Sequence, residues 1–92
     1  MKVTFRFTSQ LATAAGASEE VVETEAGSAL LGLLRDLAAK NGPDFAKFVI
    51  DSDGNVVSTL VVAVNGTQVS AGELVALEPD SEVMLITPMS GG

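Results

Sequence analysis

Lys2 to Thr8 alternates strictly, with Val3, Phe5 and Phe7 on one side and Lys2, Thr4, Arg6 and Thr8 on the other. A period of two predicts a strand with one buried face. Residues 11–18 are small apart from Leu11 and include Gly16, and they read as a loop or irregular turn. Glu19 to Glu25 sets Val21 and Val22 among acids and Thr24, which predicts a second strand antiparallel to the first. The period then changes. Leu30, Leu34 and Leu37 recur at helical spacing from about Ala29 to Lys40, with Leu33 and Ala38 beside them and Arg35, Asp36 and Lys40 opposite. Gly27 breaks the preceding strand and Ser28 is placed to cap this helix. Asn41-Gly42-Pro43 ends it with a left-handed cap.

Asp44 to Val49 reads as a short helical turn anchored by Phe45 and Phe48, and Asp51-Ser52-Asp53-Gly54-Asn55 as an Asx-stabilised turn. Thr59 to Val64 is a near-continuous apolar run. It predicts a central strand covered on both faces. Asn65-Gly66 signals a hairpin, with a short return strand over 67–70. A turn at Glu78-Pro79-Asp80-Ser81 leads into a last strand over 83–87. There Val83 and Leu85 share one face and Met84 and Ile86 the other. The order is strand, strand, helix, strand, short strand, strand, an α+β arrangement with a hairpin at each end. Phe5, Phe7, Leu30, Leu34, Leu37, Val62, Val64, Val83 and Leu85 form the expected core between helix and sheet. Residues 1–87 make one domain and 88–92 a tail. If extended, that tail reaches about 16 Å.

Composition narrows the chemistry. There is no Cys and no His, which removes disulfides, thiolate and imidazole catalysis and most zinc or copper sites. The residues present suit a substrate or carrier better than an enzyme, with no bound cofactor and no metal. A net charge of −7 with only Lys2, Arg6, Arg35, Lys40 and Lys47 as cations leaves no basic stripe for nucleic acid. It favours docking on a basic protein surface. No segment reads as a signal peptide or membrane span, and a Cys-free chain is compatible with the cytoplasm. Glu19, Glu20, Glu23 and Glu25 read as a solvated strand face, with a basic docking partner as the alternative.

The final residues, Gly91-Gly92, carry the sharpest chemical signal. A C-terminal α-carboxylate, with a usual pKa of about 3.3–3.7, is ionised at neutral pH and can attack an activated phosphate. Two residues without Cβ can lie in a channel too narrow for any other. The alternative is a fortuitous tail, since termini are commonly disordered.

Four places carry a resemblance over essentially the whole chain: Val3-Thr4-Phe5-Arg6-Phe7, Leu33-Leu34-Arg35-Asp36-Leu37, Val62-Ala63-Val64-Asn65-Gly66, and Glu82 through Gly92. Together they resemble the β-grasp, ubiquitin-like sulfur carriers of the MoaD and ThiS type. Length and residues 43–58 look more like the molybdopterin branch. The chain departs from the family in having Thr87-Pro88-Met89 before the tail and Asp80 where Gly is common.

The resemblance implies a mixed four- to five-stranded sheet packed on one main helix. It implies a partner, an ATP-dependent adenylyltransferase of the MoeB/ThiF type, that joins the Gly92 carboxylate to AMP. Sulfur then replaces the adenylate to give a thiocarboxylate, and a molybdopterin synthase large subunit of the MoaE type receives the tail. Gly91, Ser90, Met89 and Pro88 are then the threading residues. Met84, Ile86 and Met89 are expected to form an apolar docking patch, against the alternative that Met84 or Ile86 packs under a loop. A ubiquitin-like modifier conjugated through Gly92 would need the same tail. Carriers for thiamine, cysteine or tungsten-cofactor synthesis also fit, and a binding module that ignores its tail is the blander reading.

Overall fold

A computed structural model of the chain describes residues 1–70 and 76–87. The elements are β1 (Lys2–Phe7), α1 (Ser9–Ala15), β2 (Glu19–Glu23), α2 (Leu30–Asn41), α3 (Pro43–Ala46), β3 (Val61–Val64), β4 (Thr67–Val69) and β5 (Glu82–Ile86). They build a five-stranded mixed sheet in the order β2-β1-β5-β3-β4. β5 runs parallel to β1, pairing Phe5 with Val83 and Phe7 with Leu85. It runs antiparallel to β3, pairing Val62 with Leu85 and Ala63 with Met84. The sheet is therefore closed in its middle by the last strand, while β1-β2 and β3-β4 are the two hairpins. This is the ubiquitin-like β-grasp.

The alternation of β1 sends Val3, Phe5 and Phe7 into the core, joined there by Val62, Val83 and Leu85 from the sheet and Leu30, Leu33, Leu34 and Leu37 from α2. Val64 is only half-buried and packs at the edge of that cluster. α3 adds Phe45, whose ring meets Phe7 edge-on, 5.2 Å between centroids at 78°, a favourable aromatic geometry.

Four local expectations are corrected. Residues 9–15 form a helix rather than a loop. Alanine, leucine and glutamine favour it, Leu11 anchors it in the core, and Gly16 closes it at φ 74° by donating its N–H to Ala12 and Thr13 carbonyls. Ser28 does not cap α2; the N-cap is Ala29 without a side-chain bond. Ser28 Oγ instead donates to the Glu25 carbonyl at 2.7 Å and lies 2.8 Å from Thr24 Oγ1, so it holds the turn before the helix.

Gly42 ends α2 with positive φ but extended ψ (88°, 178°), not in the left-handed helical region. Pro43 then starts α3 at once. Finally, β3 is interior but not central. β5 takes the middle place, and Val61 and Ala63 are half-buried.

Candidate functional site

The face of the sheet opposite α2 is the side away from the core, and it is set by the same alternation. Met84 and Ile86 lie on it in β5, each half-buried. Opposite them in β3 stand Ala63 and Val61, also half-buried. On the other flank Arg6 of β1 is in register with Met84. Its Nε is 3.2 Å from Glu82 Oε1, and its Nη2 is 4.0 Å from Glu19 Oε2. These three side chains are about half exposed, so the pairs add little stability. They do place alternating charge along one border of the apolar strip. Val21 of β2, 55% exposed, is the most exposed large apolar residue described.

Of the three residues expected in the patch, Met84 and Ile86 are described and Met89 lies outside the described residues. Met84 and Ile86 are on one face as the alternation required, but half-buried rather than fully exposed. Val61 and Ala63 share that face without having been expected there, and Arg6 is on it as the alternation of β1 required. The uninterrupted apolar run 60–64 masked the alternation of β3. The Asn65-Gly66 turn, which fixes the register, was the signal that could have exposed it.

Two devices hold the patch-bearing strand in place. Thr8 Oγ1 donates to the Leu85 carbonyl at 3.2 Å, near the end of β5. At its start, Ser81 is buried, its Oγ donating to the Glu78 carbonyl at 2.7 Å and accepting the Glu78 N–H at 3.2 Å. The described chain ends at Thr87, one residue past Ile86, so Pro88, Met89, Ser90, Gly91 and Gly92 lie outside the described residues. Among the described residues no group of three or more carboxylates could hold a metal ion. No described helix is long and apolar enough to cross a membrane.

A model of the ThiS family matches residues 5–92. The chain belongs to the ThiS family. Members are small ubiquitin-like sulfur carriers or modifiers, partners of E1-like adenylyltransferases and of synthase subunits. Solved structures agree with the assignment. SAMP1 from Haloferax volcanii is 25% identical with TM-score 0.85, each chain covered in full. A putative molybdopterin converting factor subunit 1 from Pyrococcus furiosus is 26% identical with TM-score 0.73, covering 97% of this chain and 99% of that one. Urm1 from Trypanosoma brucei, at 18% identity and TM-score 0.79 over 99% and 95% of the two chains, shares the fold. No curated protein matches the chain.

Proposed function

We infer that this ThiS-family chain is a sulfur carrier loaded at Gly92 and that its sulfur serves molybdopterin synthesis. The observation that carries the reading is the reach of the family match, which runs through residue 92 and so includes Gly91-Gly92. A carboxylate is a poor acyl donor. Attack of the Gly92 carboxylate on the α-phosphate of ATP, with loss of pyrophosphate, makes an acyl-adenylate whose leaving group is AMP. A hydrosulfide-level sulfur supplied by a partner then displaces AMP and leaves a thiocarboxylate. That group is the sulfur nucleophile a chain without Cys otherwise lacks. All this chemistry uses the activating enzyme's ATP and none of this chain's side chains.

The body presents the tail. Met84, Ile86, Val61 and Ala63 supply the apolar contact for an adenylyltransferase of the MoeB/ThiF type and, in turn, for a molybdopterin synthase large subunit of the MoaE type. Pro88, Met89, Ser90 and Gly91 thread the partner's channel. The molybdopterin assignment is supported by likeness to the Pyrococcus furiosus molybdopterin converting factor subunit, which extends over nearly both chains. The cytoplasm is where such a reduced-sulfur exchange fits.

A second reading, conjugation of Gly92 to protein lysines, is favoured by the full-length likeness to SAMP1. A similar structure carries the name small archaeal modifier protein 1. Reconstitution separates the two. With the activating enzyme, a sulfur source, the synthase large subunit and the pterin precursor, the first reading expects dithiolene formation that is lost when Gly92 is deleted or one residue is appended. Isopeptide-linked Gly92 on substrate lysines, without dithiolene product, would replace it with the second.

A further inference from the structure

β2 is one edge of the sheet, and its pairing shows which of its backbone groups are used. Thr24 N–H donates to the Met1 carbonyl at 2.9 Å, the Met1 amino group donates to the Thr24 carbonyl at 2.6 Å, and Phe7 N–H donates to the Ser18 carbonyl at 2.8 Å. In an antiparallel ladder every second residue faces its partner. Residues 18, 20, 22 and 24 therefore face β1. Glu19, Val21 and Glu23 turn their N–H and C=O groups outward, with no partner among the described residues. An unpaired edge of this kind is a template for another extended chain.

The edge borders a groove. Between β2 and α2 lies an open depression of about 250 Å³, lined by Val21, Val22, Leu33 and Leu37 and rimmed by Glu20, Glu23, Asp36 and Lys40. Lys40 Nζ donates to Glu20 Oε2 at 2.8 Å, which neutralises the acid nearest the helix. Glu23 and Asp36 have no ion pair among the described residues, and Glu19 has only the 4.0 Å approach of Arg6.

A second copy of this chain is a poor occupant. Antiparallel pairing of two β2 edges about Val21 would set Glu19 of one copy opposite Glu23 of the other, and like charges across a ladder are destabilising. Each copy also carries a net charge of −7. The complementary occupant is an extended, cationic segment.

We propose that the β2 edge and the β2–α2 groove bind an extended peptide segment of a partner protein, one that adds a strand and carries Arg or Lys beside β-branched residues. Its backbone pairs with Glu19, Val21 and Glu23. Alternate apolar side chains enter the groove over Leu33 and Leu37, and its cations meet Glu23, Asp36 and Glu19. This surface is distinct from Met84 and Ile86, so a partner can hold the body here while the tail works elsewhere. The inference does not depend on what is loaded at Gly92.

The test is a titration of the full ¹⁵N-labelled chain with a synthetic peptide of alternating valine and threonine flanked by arginines, followed by amide shifts. The expected result is saturable shifts at Glu19, Val21, Glu23, Leu33 and Leu37, with Met84 and Ile86 unmoved. Affinity should fall with added salt. Val21→Pro removes one outward N–H at an edge position that tolerates proline, and affinity should drop about tenfold or more. Should Val21→Pro perturb the fold, the surface pair Glu23→Lys and Asp36→Lys serves instead, and it should weaken the arginine peptide equally. Absence of shifts at millimolar peptide, shifts confined to the Met84 face, or equal binding of the same peptide with glutamates for arginines would overturn the proposal.

Discussion

Asn65 holds Glu82 from two directions: its backbone N–H donates to the Glu82 carbonyl at 2.8 Å, and its Oδ1 accepts the Glu82 N–H at 2.9 Å. One residue thus turns the β3–β4 hairpin and fixes the first residue of the patch-bearing strand. It does so at φ 50°, followed by Gly66 at 85°, the positive-φ pair that a two-residue hairpin requires. Asparagine suits both tasks, since it tolerates this region and carries an acceptor. Asn65→Ala should lose both and cost about 1–3 kcal/mol. Asn65→Gly keeps the turn and should cost less. Urea denaturation would rank them, and an alanine variant as stable as the parent would contradict the account.

Thr87 carries the opposite imbalance. It is 6% exposed, and its Oγ1 has no hydrogen-bond partner among the described residues. A buried hydroxyl without a partner costs free energy that a methyl group does not. Thr87→Val should raise stability by about 0.5–1 kcal/mol and the Tm by a few degrees. A lower Tm would show that the hydroxyl is satisfied by a group beyond the described residues.

Asp80 sits at φ 61°, in the turn that leads into β5. Aspartate is tolerated at this left-handed φ better than most side chains. Asp80→Gly should be close to neutral, removing strain in the folded state while freeing the unfolded chain. Asp80→Val should cost about 1–2 kcal/mol, because a β-branched residue is poorly tolerated at positive φ. Equal stability of the glycine and valine variants, measured by thermal unfolding, would remove backbone strain as the explanation.

Most of the fold was legible because the periods were clean. The strict alternation of β1 and the leucine spacing of α2 each named a buried face, and Asn65-Gly66 and Asp80 marked turns whose backbone geometry demands such residues. α1 was not legible. Its seven residues carry a single large apolar side chain, Leu11, so no periodicity exists to detect, and burial of that side chain stabilises a segment too short to be helical alone. Ser28 misled because a residue suited to capping was recruited one step earlier, into the turn with Thr24 and Glu25. Within the candidate site, Met84 and Ile86 could be assigned to one face by alternation. Their neighbours Val61 and Ala63 could not, because neighbouring positions in that run are equally apolar. The β2 edge needed the ladder itself, since the sequence does not say which strand ends a sheet.

The patch makes its own prediction. Met84→Asp would place a carboxylate on the open face beside Ala63 and Arg6, without entering the core. The chain should fold, while the rate of loading by an adenylyltransferase falls at least about tenfold through weakened docking. Glu82→Gln, which only releases one pair of Arg6, should load nearly normally. Unchanged loading of folded Met84→Asp would remove this face from the account.

Intact mass shows whether Gly92 is the reactive centre. The chain, incubated with an active MoeB/ThiF-type enzyme, ATP and a sulfur source, should gain the mass of one oxygen-to-sulfur exchange, localised to the C-terminal peptide. No such gain, with the same enzyme proven on another carrier, would contradict it.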